Sequence, residues 1–190
     1  MVDSRQKLIE KVLYQTNARR LIGIYIAFFT VEAVFLFYVE RIRLTAAIGE
    51  SYDLVLISYL LHLVLALTTL GYAVFFYFTK DLKSHDRLRS VPYVSAAIVL
   101  IISATISVFD QITTGHITLF TAHMLILGLV LYVRPLWHIP LFTLPFALFL
   151  LGIFTFQENN DILLTHLING SAIYVGVLLA SKRFYDHKVY

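Results

Sequence analysis

Long apolar runs constrain this chain more than any other feature of its sequence. Each run holds about 17 to 25 mostly apolar residues, which as a helix span a hydrocarbon core of about 30 Å. The chain is 59% hydrophobic and 14% charged, whereas charged residues make up about a quarter of a soluble domain. We therefore predict an all-α integral membrane bundle of six transmembrane helices. The runs cover residues 21–39, 53–79 and 92–111, then a fourth that ends at 133, a fifth that ends before 157 and a sixth that ends near 180.

The chain divides into three parts of different polarity. Residues 1–20 mix charges with apolar residues at helical spacing, which is typical of an amphipathic helix on a membrane surface, although a solvated tail fits equally well. Residues 21–180 hold the six spans, and residues 181–190 return the chain to water. The third and fourth spans are separated only by a tight turn at 113–115, so they are expected to form an antiparallel hairpin.

Positive charges are distributed unevenly among the connections between the apolar runs. Thirteen of the 15 Lys and Arg lie in the N-terminal segment, in residues 80–90, at position 134 or in the C-terminal segment, and the other two are Arg41 and Arg43. Cytoplasmic connections carry the excess of Lys and Arg in membrane proteins. With an even number of spans, both the N-terminus and the C-terminus are therefore predicted to be cytoplasmic.

Several polar side chains fall inside the predicted spans, where an ionisable group is costly and is by default a candidate for function. Given the predicted orientation, these side chains lie in the outer halves of the bundle. We therefore predict an outward-facing polar pocket that binds a small molecule. The candidate ligand-binding residues are Glu32, His62, Asp110, Gln111, His123, His166 and Asn169.

Each of these residues also has a structural interpretation. A histidine such as His62 or His123 can simply form a hydrogen bond between helices, and Asp110 can cap a hairpin at the membrane surface. Glu32 is harder to explain in this way because its own span holds no Lys or Arg. His62, His123 and His166 are also candidate ligands for haem iron or another metal ion, since neutral imidazole binds both.

Small residues recur at helical spacing in the last span. Ala172, Gly176 and Ala180 are four residues apart, and such a track of small residues allows a second helix to approach closely. We therefore expect His166 and Asn169, on the same span, to face a neighbouring helix rather than lipid.

Standard catalytic signatures are missing from the sequence. It contains no H-E-x-x-H, no G-x-S-x-G and no P-loop, and the lack of cysteine excludes disulfides and thiol catalysis. Its Lys and Arg are not clustered as they are in a nucleic-acid site. The chain itself is therefore expected not to be an enzyme and not to bind nucleic acid.

Two stretches of the chain, 109–136 and 166–189, resemble the six-span N-terminal sensor regions that precede GGDEF domains in bacterial diguanylate cyclases. Related regions precede some histidine kinases. The resemblance implies a sensor domain in the bacterial cytoplasmic membrane. Since no GGDEF or kinase motif occurs in the chain, the implied catalytic domain would follow Tyr190. The motif-like residues are Asp110, Gln111, Gly115, Pro135, His166, Asn169 and Gly170.

These features together predict a non-catalytic transmembrane sensor that binds an unknown small molecule and controls a cytoplasmic effector, by resemblance a diguanylate cyclase. Ligand binding would change the packing of the small-residue track of the last span against a second copy, in a homodimer surrounded by membrane lipids. The alternatives are a small transporter or channel and a haem- or metal-binding membrane protein. An ion path needs ionisable groups in the inner halves of the spans, which are nearly free of them.

Overall fold

The computed structural model describes residues 2–46, 50–81, 88–114 and 117–189. These residues form helices joined by short connections, with no strand among them, which confirms the prediction of an all-α fold. The α-helices are α1 (Val2–Val34), α2 (Arg41–Ala46), α3 (Glu50–Thr79), α4 (Val91–Thr114), α5 (Thr118–Val130), α6 (Leu144–Phe156) and α7 (Asn160–Val189).

The N-terminal residues belong to one long helical run. α1 continues through a π-helical segment at Phe35–Glu40 into α2. Buried side chains recur along this run every three or four residues from Leu13 to Leu36, which gives it a single face toward the bundle. Residues 2–20 therefore lie in the same helix as the start of the first predicted span, while their place at the membrane surface stays a prediction.

Within the described residues, five helices are long and apolar enough to cross a membrane, so the chain is a multi-pass membrane protein. α5 has only 13 residues and is about 20 Å long, shorter than a hydrocarbon core of about 30 Å. After α5, the backbone is extended at Leu131 and again at Arg134. Arg134 precedes a proline, which disfavours helical geometry at this residue. The count of six spans stays a prediction. The five helices are Leu8–Ala46, Tyr52–Thr79, Val91–Gln111, Pro135–Phe156 and Asn160–His187.

The helices form a bundle in which α4 packs against more of the other helices than any other helix does. α1 packs against α3, α3 against α4, and α4 against both α5 and α6, while α5 packs against α7. The packing of α4 on α5 agrees with the predicted hairpin, but Thr113 and Thr114 belong to α4 rather than to a tight turn, and residues 115 and 116 lie outside the described residues. α5 and α7 approach closely at Gly128, where an added Cβ would collide with Val177, and α6 approaches α4 in the same way at Gly152 and Val108.

One end of the bundle, called the basic end, gathers charged residues from distant parts of the chain. Glu10 forms ion pairs with Arg89 (3.1 Å) and with Arg134 (3.0 Å). Four residues after Arg134, the ring of His138 is bonded to the hydroxyl of Ser181 in α7 (3.3 Å). The positively charged connections that the sequence assigns to one side of the membrane therefore meet at one end of the bundle. That this end faces the cytoplasm stays a prediction.

The opposite end, called the acidic end, holds Glu32 and Asp110. α4 reaches this end after Val108, and the contact of Val108 with Gly152 brings the end of α6 there too. The connection at 157–159, between α6 and α7, therefore lies at the acidic end.

Candidate functional site

A buried contact between a carboxyl group and an imidazole ring joins α1 to α3 at the acidic end. Nδ1 of His62 lies 2.6 Å from Oε2 of Glu32, and the two side chains are only 3% and 1% exposed. Glu32 lies one turn after Phe28 and one turn before Leu36 on the buried face of α1, so the helix directs its carboxyl group into the bundle. The ring of Phe35 packs on the imidazole of His62, with 4.6 Å between the ring centres.

Asp110 of α4 brings a second carboxyl group to the other side of His62. Its Oδ2 lies 3.6 Å from Nε2 of His62, and its Oδ1 accepts a hydrogen bond of 2.9 Å from the hydroxyl of Ser58. Arg43 of α2 lies 3.6 Å from the same Oδ1. Ser58 and His62 are four residues apart on α3 and therefore project from one face. The five residues Glu32, Arg43, Ser58, His62 and Asp110 are called the His62 cluster.

A second buried histidine, His123 of α5, packs against Phe28, one turn before Glu32 on α1, with 3.9 Å between the ring centres. Its Nδ1 lies 2.6 Å from the hydroxyl oxygen of Ser103 in α4. One turn further along α4, the hydroxyl oxygen of Ser107 accepts a hydrogen bond of 3.1 Å from the backbone N–H of Phe120, a group that the start of a helix leaves without an internal partner. His123 of α5 therefore forms a hydrogen bond with a neighbouring helix, as its structural interpretation predicts.

The other three predicted site residues lie in different environments. Gln111 is 3% exposed, and neither polar atom of its amide has a hydrogen-bond partner in the described part of the chain. His166 is buried, whereas Asn169 is exposed, so within this chain only His166 faces a neighbouring helix. Three residues turn an α-helix by about 300°, which carries Asn169 outside the face that buries His166.

The predicted small-residue track lies on the surface of this chain's own bundle. Ala172 and Gly176 are exposed and Ala180 is half-buried, and a Cβ added at Gly176 would meet no atom within 4 Å. The close approach of α7 to α5 is made by Val177 instead. The track therefore faces away from the other helices of this chain.

The three histidines considered as metal or haem ligands do not form a common site. Over the described ranges, no group of three or more His, Asp or Glu side chains is placed to hold a metal ion. The two ring nitrogens of His62 face carboxyl groups, and His123 is bonded to a hydroxyl.

A groove of about 450 Å³ runs along α1 near the acidic end. Its lining is mainly apolar and includes no member of the His62 cluster. Three of the residues that were expected to line a pocket, Glu32, His62 and Asp110, contact one another instead. The groove is lined by Phe29, Thr30, Ala33, Val34, Phe37, Tyr38 and Arg41.

Sequence reasoning missed a polar network at the basic end. Asn17 of α1 is fully buried, and its side-chain amide donates to the backbone oxygen of Tyr132 (3.1 Å) and accepts from the backbone N–H of the same residue (3.0 Å). Arg20 donates to the carbonyl oxygen of Val130 (2.7 Å). These bonds satisfy backbone groups that the end of α5 leaves free. The sequence signal was the position of Asn17, four residues before buried Leu21 on the same helix face.

No family model, no curated protein and no solved structure matches this chain. The resemblance to the sensor regions of diguanylate cyclases therefore stays a prediction. Function is inferred below from the geometry of the His62 cluster and from its place in the bundle.

Proposed function

We propose that this chain is a non-catalytic membrane sensor domain whose input site is the His62 cluster. The observation that carries the proposal is the meeting of Glu32, His62 and Asp110, from α1, α3 and α4, inside the bundle at its acidic end. Ionisable groups within membrane spans are costly, and they commonly mark functional sites. A change in the charge or occupancy of this cluster alters the contacts among three helices at once.

A series of packed contacts leads from the cluster to the C-terminal helix. α4 carries Asp110 and, two turns earlier, Ser103, which is bonded to His123 of α5. α5 in turn meets α7 at Gly128 and Val177. Close-packed interfaces tend to shift between discrete arrangements rather than deform gradually, so a movement at the cluster has a physical route to α7.

A sensor accounts for the interior of the bundle better than a channel does. A channel or transporter needs polar groups along its whole path. In the described part of the chain, however, no ion pair joins the acidic end to the basic end. The fully buried side chains between the two ends are mainly apolar and include Leu65, Phe76, Leu100, Met124 and Leu127.

We further propose six membrane crossings, with α5 and the extended residues 131–134 as the fourth. The helix supplies about 20 Å, and four extended residues add about 13 Å, which together match a hydrocarbon core of about 30 Å. Non-helical backbone at membrane depth must have its polar groups satisfied by protein. Asn17 does so for both backbone groups of Tyr132.

In the complete proposal, both termini face the cytoplasm of a bacterial cell and the acidic end faces outward. α7 transmits its movement to a cytoplasmic effector, which by the resemblance is a diguanylate cyclase. The exposed face of α7 at Ala172 and Gly176 is the proposed contact with a second copy in a homodimer.

The coupling of the cluster to α7 can be tested with spin labels, because the chain has no cysteine of its own. One pair of labels replaces Val31 of α1 and Leu164 of α7, which are both exposed. Their distance is measured in lipid nanodiscs by double electron–electron resonance. The double variant Glu32→Gln, His62→Gln removes the buried ion pair and is expected to shift the distance by about 2 Å.

The matched control is Arg19→Gln, which removes a charge from an exposed ion pair at the basic end. This control is expected to leave the distance between the labels unchanged. A double variant with the same label distance as the parent protein would contradict the sensor proposal.

A further inference from the structure

The His62 cluster is too closely bonded to admit a ligand of appreciable size. Nδ1 of His62 and Oε2 of Glu32 are 2.6 Å apart, and the hydroxyl of Ser58 is 2.9 Å from Asp110. A small molecule would have to displace these contacts, whereas a proton would not. We propose that the proton is the ligand of this cluster, so that the domain senses the acidity of the compartment that its acidic end faces. This inference rests on the sensor function proposed above.

His62 is surrounded by charged or titratable groups from four other elements. Glu32 of α1 and Asp110 of α4 face its two ring nitrogens, and Arg43 of α2 faces Asp110. His123 of α5, which is bonded to a hydroxyl, lies against Phe28, one turn before Glu32. Among these described groups, with both imidazoles neutral, two carboxylates and one guanidinium carry one net negative charge. A proton on His62 cancels that charge.

The proton has a defined place on the ring. The short contact to Glu32 fixes an N–H at Nδ1 of His62, which donates to the carboxylate. The longer contact of 3.6 Å from Nε2 to Asp110 is the weaker of the two, so Nε2 is the nitrogen that exchanges its proton, with water that reaches the cluster when its packing loosens. On release, the Nε2–H bond breaks and an O–H bond to a water molecule forms, and uptake reverses both changes.

The direction of the response follows from the charge balance. An uncompensated charge is disfavoured inside the bundle, so the packed cluster holds this proton more tightly than a loosened cluster that water can enter. By linkage, the state that binds more protons gains population as the pH falls and loses it as the pH rises. Acid is therefore expected to hold α1 against α3, and alkali to release it.

Proton binding can be followed by nitrogen NMR of the histidines of the full chain in lipid nanodiscs. The chain has seven histidines, and the signal that disappears in His62→Gln belongs to His62. We expect this signal to move from the charged to the neutral position between about pH 5 and about pH 9, an interval that covers the range of about pH 5 to about pH 8 in which histidine ordinarily changes its charge. A His62 signal that keeps one charge state over the whole range would overturn the inference.

A second measurement follows the helices and does not require the His62 variant to fold. Spin labels at the exposed positions Val31 of α1 and Ile57 of α3 are placed in the otherwise unchanged chain. Raising the pH is expected to shift their distance by about 2 Å. The control His138→Gln, which removes a histidine at the basic end, is expected to keep this response. A distance that is constant with pH in the unchanged chain would overturn the inference.

The two proposals can fail separately. If the label on α7 responds to the cluster variant but neither His62 nor the α1–α3 distance responds to pH, the proton is not the ligand and the sensor function stands. If His62 titrates and α1 separates from α3 while α7 stays in place, the proton site stands and the sensor function is contradicted.

Discussion

The most buried charged pair of the acidic end and the most exposed pair of the basic end differ sharply. At the acidic end, Glu32 and His62 form a pair that is 1% and 3% exposed, whereas at the basic end Arg19 and Asp81 are 64% and 61% exposed. Exposed pairs contribute about 0–1 kcal/mol, while removing one partner of a buried pair costs about 3–5 kcal/mol. The exposed pair of the basic end is therefore suited to orienting the chain, and the buried pair of the acidic end to controlling helix packing.

Removing Glu32 is expected to have the largest effect on stability. Glu32→Ala leaves His62 without its closest partner and is predicted to lower the free energy of unfolding by about 3–5 kcal/mol. The measurement is a denaturant titration of the purified protein in mild detergent. Glu32→Gln keeps a hydrogen-bonding group beside Nδ1 and is expected to lose less. If Glu32→Ala lowers the free energy of unfolding no more than the loss of an exposed ion pair does, the distinction between the two ends is contradicted.

The second largest effect on stability is expected at the contact of α5 with α7, through which a movement at the acidic end is proposed to reach α7. Gly128→Ala puts a Cβ against Val177 and is expected to cost about 1–3 kcal/mol of unfolding free energy, because close-packed interfaces resist added volume. Gly176→Ala on the open face of α7 is the matched control, with an expected change within about 0.5 kcal/mol. Equal effects of the two substitutions would contradict a tight contact of α5 with α7.

Asn17 is a buried polar residue at the basic end, and it sharpens the comparison. Asn17→Ala removes two hydrogen bonds to the backbone of Tyr132 and is expected to cost about 1–2 kcal/mol in the same titration. Asn17→Asp retains an acceptor for the N–H of Tyr132 and serves as the partial control. An Asn17→Ala variant as stable as the parent protein would show that the backbone N–H and carbonyl oxygen of Tyr132 find other hydrogen-bond partners.

The exposed pair of the basic end is expected to give the smallest effect. Asp81→Ala breaks the contact of 2.9 Å with Arg19 and should change the free energy of unfolding by at most about 1 kcal/mol. Added salt should reduce even that difference, because it screens exposed charges. A loss comparable to that of Glu32→Ala would break the contrast between the ends.

The helices and the choice of site residues could be predicted because both depend on local sequence. The apolar run at 92–111 corresponds to α4, and the run at 53–79 corresponds to α3, since each is set by its own composition. Glu32, His62 and Asp110 could be selected as ionisable residues in apolar surroundings without knowledge of their neighbours.

The pairing of these residues could not be predicted, because it depends on how each helix is rotated and positioned against the others. Glu32 has no cation in its own span, and its partner is supplied by α3. Asn17 was overlooked because it lies before the first apolar run, although the helix continues through it. The burial of His166 and the exposure of Asn169 could not be told apart from the sequence, because the two residues are only three positions apart on one helix.

The claim that the acidic end faces outward is tested most directly by labelling single cysteines on intact cells with a membrane-impermeant thiol reagent. Glu158, in the connection between α6 and α7, and Asp81, at the end of α3, are both exposed, and no other cysteine competes. We predict that Glu158→Cys is labelled on intact cells and that Asp81→Cys is labelled only after the cells are permeabilised. The reverse pattern would contradict the orientation of the bundle and, with it, the assignment of the His62 cluster as an external sensor.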